Sequence, residues 1–185
     1  MSSVVMLRRY PLKSAQGEAL TAVEVEPTGL RGDRTWACID RLDGTVGSAK
    51  HPRRWGRLCG VAATTDFGAV HIVTTGALDL LGQRIGGASV AAARFRPNLV
   101  IDAPGDPEPG QELHLGDVVL RVTLPTPRCV IPGLPQADLP ADRSVLSALA
   151  RHYRVPVAGL GHAACFGTYA DVVQPGRLRL GQRVR

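Results

Sequence analysis

The chain has 185 residues, room for one domain with a full-sized core. Hydrophobic residues make up 44% and aromatic residues only 4%, so the interior is expected to be Val, Leu, Ile and Ala rather than stacked rings. The net charge of +6 is carried almost wholly by arginine, and without aromatic interleaving or a DNA-reading motif it favours a small anionic ligand over a nucleic acid.

Val4 to Leu7 reads as a first strand, and Ala15-Gln16-Gly17 as a turn. Ala22 to Glu26 alternates apolar and acidic residues, the pattern of a half-buried strand. A charged loop with two glycines, Pro27 to Arg34, leads to a strand over Trp36–Asp40, and Asp43-Gly44 marks a hairpin turn into Thr45–Ala49. Lys50 to Arg57 is a basic loop around Trp55, followed by strands at Leu58–Thr64 and Ala69–Val73.

Thr74-Thr75-Gly76 then precedes a short helix at Ala77–Leu81, with threonine at its cap. The free amide groups of such a helix start suit an anion. From Ala93 the chain reads Ala-Arg-Phe-Arg-Pro-Asn and becomes a strand; in extended geometry Arg94, Arg96 and Asn98 share one face. A Pro/Gly-rich loop, Ala103 to Gly110, leads into a hairpin from Leu113 to Val122, with His114 expected exposed and structural.

That hairpin runs straight into Leu124-Pro-Thr-Pro-Arg-Cys-Val-Ile-Pro132. Here a cysteine follows an arginine at a strand end, between prolines that stiffen the loop. A neighbouring guanidinium favours the thiolate, the form that attacks electrophiles and binds metals. One amphipathic packing helix runs from about Asp142 to Tyr153, with Val145, Leu146, Leu149, Ala150 and Tyr153 as its apolar stripe. Pro175 to Val184 echoes Pro109 to Val119, a reused turn-strand-turn pattern.

The four cysteines, Cys38, Cys59, Cys129 and Cys165, form no CxxC pair, which argues against a zinc site or a thioredoxin-like motif. His162 and Cys165 lie three apart, but no second ligand pair matches them. No apolar run is long enough to span a bilayer, and Met1 to Lys13 lacks the apolar segment of a signal peptide. A cytoplasmic location without membrane contact is the expectation, and so is the absence of a disulfide framework. Many short strands and one strong helix predict a single domain over 1–185, mainly β with a few helices and β-barrel-like, with the N-terminal strands of residues 1–50 packed onto the same barrel.

Taken in order, Tyr10-Pro-Leu-Lys-Ser14, Gly29-Leu-Arg-Gly-Asp-Arg-Thr-Trp36, His71-Ile-Val-Thr-Thr75, Arg94-Phe-Arg-Pro-Asn98 and Arg128-Cys129 resemble the MOSC family. This is the domain shared by molybdenum cofactor sulfurases and the mitochondrial amidoxime-reducing component. Cys165-Phe-Gly-Thr-Tyr-Ala170 and the Pro-Gly-Arg-Leu-Arg-Leu-Gly181 ending are similar to that family's C-terminal strands, so the resemblance runs from about Leu7 to Val184.

The resemblance implies a mostly β fold that binds the molybdenum-molybdopterin cofactor. It places Lys13 and Ser14 on the pterin or its phosphate, and Arg34 beside the pterin. Thr74 or Thr75, with Arg96 and Asn98, would hold the phosphate and pterin edge; Arg128 would flank Cys129, the protein thiolate on molybdenum. Soft thiolate suits such a metal better than carboxylate. Asp33 is expected to orient Arg34.

The implied reaction is a two-electron reduction of an N-hydroxylated or N-oxide compound. With no ferredoxin-type cysteine pattern and no pyridoxal-phosphate domain, the electrons are expected from a separate reductase. Two other roles fit the same residues: a carrier of the cofactor without turnover, and a sulfur-transfer protein with a persulfide on Cys129. The stretch between Lys50 and Arg94 is shorter than in the amidoxime-reducing enzymes, and Pro132-Gly-Leu-Pro135 replaces their Thr-rich segment after the cysteine, so the substrate pocket is expected to differ.

Overall fold

A computed structural model describes residues 1–12, 16–37, 68–87, 90–136 and 138–185. The expected strands within 38–64, the Asp43-Gly44 hairpin and the basic loop around Trp55 lie outside the described residues, as do Lys13, Ser14, Cys38 and Cys59.

The described strands are β1 (Val4–Arg9), β2 (Glu18–Ala19), β3 (Ala22–Glu26), β4 (Gly29–Leu30), β5 (Val70–Thr74), β6 (Leu99–Ile101), β7 (Glu112–Leu115), β8 (Val118–Pro127), β9 (Arg154–Val157), β10 (Gly161–Gln174) and β11 (Gly176–Arg179). Two α-helices join them among the described residues, α1 (Thr75–Arg84) and α2 (Arg143–His152). The large sheet has the order β2-β1-β6-β5-β10-β8-β7, with β9 on β10; the small one is β11-β3-β4. Only the β5–β6 pair is parallel among these described strand pairs, because α1 and the chain after it carry the crossover.

The mainly β class is thus as expected, but the barrel is not closed: among the described residues both sheets are open, with β2 and β7 at the ends of the large one. Its two faces are both covered. Val70 and Ile72 of β5 point to the small sheet and join Val23, Val25, Leu30 and Leu178 in one apolar cluster. Val73 points the other way, to Leu81 of α1 and to Val145, Ala148 and Leu149 of α2. Being central and covered twice, β5 reads as an unbroken run of β-branched and polar residues, buried throughout.

Helix α2 begins where the sequence puts it. Asp142 accepts from the Ser144 amide, and Val145, Ala148 and Leu149 are buried in the core, whereas Ala150 of the expected stripe is exposed. Helix α1 is longer than expected, with Thr74 as its cap, accepting from the Ala77 amide.

The segment before β6 departs from the extended reading. Residues Ala92–Phe95 form a 3-10 turn, closed by Arg96 in the left-handed region at φ 54°. Phe95 explains it, because its ring must reach Phe166 (4.2 Å between centroids) and is fully buried there. With about three residues per turn rather than alternation, Arg94, Arg96 and Asn98 leave on different sides.

Strand β10 carries a bulge where its register with β8 shifts between Cys165 and Thr168. Gly167 sits there at φ +76°, and a Cβ on it would come within 2.5 Å of the Ile72 carbonyl oxygen and 2.7 Å of His71 Nε2. Gly167→Ala is therefore expected to lower the unfolding free energy by at least about 1 kcal/mol from the left-handed backbone alone, with the clash adding to it. An unchanged denaturant midpoint would refute this account of the bulge.

Candidate functional site

The end of β1 and the starts of β5 and β6 lie side by side in the large sheet, and polar side chains gather there, with Arg128, just past β8, within electrostatic reach. The chain leaves β1 at Tyr10, whose amide donates to Asp33 Oδ1 at 2.6 Å and whose carbonyl accepts from the Arg34 amide at 2.7 Å. The other Asp33 oxygen is ion-paired with Arg34, so this aspartate orients the arginine as expected. Arg34 Nη1 also donates to Asn98 Oδ1.

Asn98 is fully buried, and its amide serves the protein rather than an open pocket. Its Oδ1 also accepts from the His71 amide, and its Nδ2 donates to the Arg8 carbonyl. It therefore ties β1, β5 and Arg34 together.

Arg96 is 4% exposed, and its guanidinium lies 4.5 Å from the centre of the Tyr10 ring; that of Arg34 lies 5.3 Å from it. Among the described residues these two arginines are the non-glycine residues with positive φ, 49° at Arg34 and 54° at Arg96. Left-handed backbone costs a bulky residue roughly 1 kcal/mol or more, and such strain gathers at functional sites.

Arg128 follows the last residue of β8. Its amide donates to the Ala164 carbonyl and its Nη2 to the Phe95 carbonyl, with the guanidinium 5.5 Å from the Phe95 ring centre. Cys129, next in the chain, is exposed. The loop beyond it is stitched to the 3-10 turn: Arg94 donates to the Pro132 and Pro140 carbonyls, and Gln136 Nε2 donates to those of Arg94 and Ile131. Cys129 thus stands on a braced loop, open to solvent, beside a half-buried guanidinium.

Burial, helped by the charges of Arg34 and Arg128, pulls Arg96 down to about 10, still charged at neutral pH. Burial also lowers Arg128, and the charge of Arg34 pushes the same way. His71 is held well below the usual histidine range by burial and by Arg128 and Arg34, so its ring is neutral. Nδ1 of that ring faces the Arg96 carbonyl at 3.4 Å. The corner therefore gathers guanidiniums near the Asp33 carboxylate and keeps its imidazole uncharged.

Several buried polar atoms there have no hydrogen-bond partner among the described residues: Nε of Arg8 and Arg128, and the hydroxyls of Thr126 and Thr168. A cavity of about 270 Å³ opens alongside, lined by Arg8, Tyr10, Arg96, Gln16, Gln136 and Asp138 among others. Excess buried positive charge, unsatisfied donors and adjoining space are what an anionic group with a polar edge requires. Among the described residues no three His, Cys, Asp or Glu side chains converge into a metal cage.

Thr74 and Thr75 are placed differently from the arginines. The Thr74 amide and hydroxyl both donate to Asp106 Oδ1 at 2.9 Å, and the Thr75 hydroxyl donates to Asp102 Oδ1 at 2.9 Å. Two carboxylates of the chain thus face the start of α1, and an added anion would meet their charge. Sequence reasoning also passed over Tyr10, Arg8 and Gln136 as site residues. Their roles come from contacts with residues far along the chain, for which no local pattern exists; only the pairing of Tyr10 with the neighbouring arginines hinted at one.

A family model described as "MOSC domain" matches residues 60–185, and one described as "MOSC N-terminal beta barrel domain" matches residues 1–83. No curated protein matches the chain. Among solved structures, the YuaD protein from Bacillus subtilis superposes with a TM-score of 0.64 at 16% identity, covering 100% of this chain and 94% of that one. YiiM from Escherichia coli superposes with a TM-score of 0.53 at 14% identity, covering 96% of this chain and 68% of that one. At such identities the likeness speaks to the fold.

Burial pushes the Asp106 carboxyl up, against the Thr74 and Gly167 hydrogen bonds that pull it down. A carboxyl raised by folding contributes stability at pH values below the ordinary aspartate range, and loses it as pH rises through the raised value. The melting temperature of the wild type minus that of Asp106→Asn is therefore expected to fall between acid and neutral pH. A difference that grows with pH would contradict it.

Proposed function

Because the chain belongs to the MOSC domain family, we propose that it binds the molybdenum-molybdopterin cofactor and uses it to reduce N-hydroxylated or N-oxide compounds. The observation that carries this reading is the convergence of Arg34, Arg96 and Arg128, with the exposed Cys129 next to Arg128 in the chain. When bound, the group supplies oxygen-atom and electron transfer at a metal held by its own dithiolene.

The chain's part is to bind and orient. Arg34 and Arg96 neutralise the phosphate and the pterin edge, and Asn98 holds Arg34 in place for that contact. Arg128 flanks Cys129, and the sulfur of Cys129 is the ligand the protein offers the metal. Reducing an N-hydroxylated substrate breaks its N–O bond with two electrons and two protons and releases water; a separate reductase supplies the electrons.

Cys129→Ala, purified from a host that makes the cofactor, tests the assignment. Benzamidoxime reduction with an artificial electron donor is expected to fall by at least about 100-fold, since even loss of a group behind a metal ligand costs 10–100-fold. Full activity in that variant would overturn the role of Cys129. A wild-type protein that holds molybdenum and pterin yet turns nothing over would mark a carrier instead. A persulfide on Cys129 in a molybdenum-free protein would mark sulfur transfer.

A further inference from the structure

The arginines of this corner are not held by their own backbone preference, because Arg34 and Arg96 both sit in the left-handed region. What they share is Tyr10. Both guanidiniums lie over its ring, at 5.3 Å and 4.5 Å from the centre, within reach of the attraction between a cation and an aromatic face. The backbone of Tyr10 fixes one of them too, through the Arg34 amide and Asp33. Its hydroxyl donates to the Pro97 carbonyl at 3.2 Å, one residue beyond Arg96.

The ring is itself fixed. Gly17 passes so close that a Cβ there would lie 2.4 Å from the ring's Cδ1 and Cε1. Tyr10 is only 3% exposed, yet it reaches the cavity that Arg8 and Arg96 also line. A saturated side chain of similar size would fill the space and provide no electron-rich face between like charges.

We propose that Tyr10 is the positioning residue of the arginine cluster, its ring face rather than its hydroxyl setting Arg34 and Arg96 for an anionic ligand. This rests on reading the cluster as an anion site, and not on which anion the site takes. Replacing the ring takes from both arginines the aromatic face they share, so the site should lose affinity before the fold loses stability.

The test is calorimetric binding of pyrophosphate at low salt to the full chain, alongside thermal melts, for the wild type, Tyr10→Phe, Tyr10→Leu and Gly17→Ala. Tyr10→Phe should bind within about twofold of wild type, and Tyr10→Leu should bind at least about tenfold more weakly with its melt retained. Gly17→Ala keeps the tyrosine but drives its ring aside, and should weaken binding in the same direction. That variant decides the matter if Tyr10→Leu does not fold.

Wild-type affinity in Tyr10→Leu, or in Gly17→Ala should Tyr10→Leu be unfolded, would overturn the proposal and leave the anion site standing. So would a Tyr10→Phe protein as weak as Tyr10→Leu, which would assign the work to the hydroxyl. A wild-type chain that binds no pyrophosphate would overturn the anion site itself, and this inference with it.

Discussion

Withdrawing guanidinium groups from water in one place is the constraint from which the rest of this structure follows. Arg34 is close enough to lower the hold of Arg96 and Arg128 on the proton, Arg128 does the same to Arg96, and the Asp33 carboxylate is paired with Arg34. Buried like charges are tolerated only where dipoles, ring faces and carbonyl oxygens are arranged to receive them. Here those are the Tyr10 and Phe95 rings, the Asn98 amide and the Phe95 carbonyl. A neutral His71 between them adds no further charge.

The sheets supply the rigidity this requires. β5, covered on both faces, carries His71 to the corner. β8 runs ten residues from its hairpin with β7 before handing the chain to Arg128 and Cys129. The bulge at Gly167 lets β10 pass β5 closely enough for the Tyr169 ring to lie 5.4 Å from that of His71. Arg96 and Arg128 each stand just past the end of an element, and Cys129 follows Arg128 on its braced loop.

Much of this was legible in the sequence because it is local. Alternation in Ala22–Glu26 and the capped helix of Asp142–Tyr153 each declare themselves within a dozen residues, whereas Pro125 to Pro127, expected in a stiff loop, are the last residues of β8. The ordered motifs pointed to the family. Alternation failed at Ala92–Phe95, where the need to bury Phe95 against Phe166, far along the chain, outweighed local strand preference. The helix start at Thr74 was visible as a helix start. That Asp102 and Asp106, about thirty residues later, would face it was not, because nothing in a short window records which loop folds back. Tyr10 escaped for the same reason: its partners lie at positions 33, 34, 96 and 97.

The left-handed backbone at Arg34 and Arg96 gives sequence drift a direction at these two positions. Glycine occupies that conformation without penalty, so a change to glycine would relax the main chain while discarding the charge. In a lineage that no longer used this corner, such changes would be free to accumulate and would leave a sturdier, inert molecule. Arginine at both places therefore stands against the chain's own relaxation.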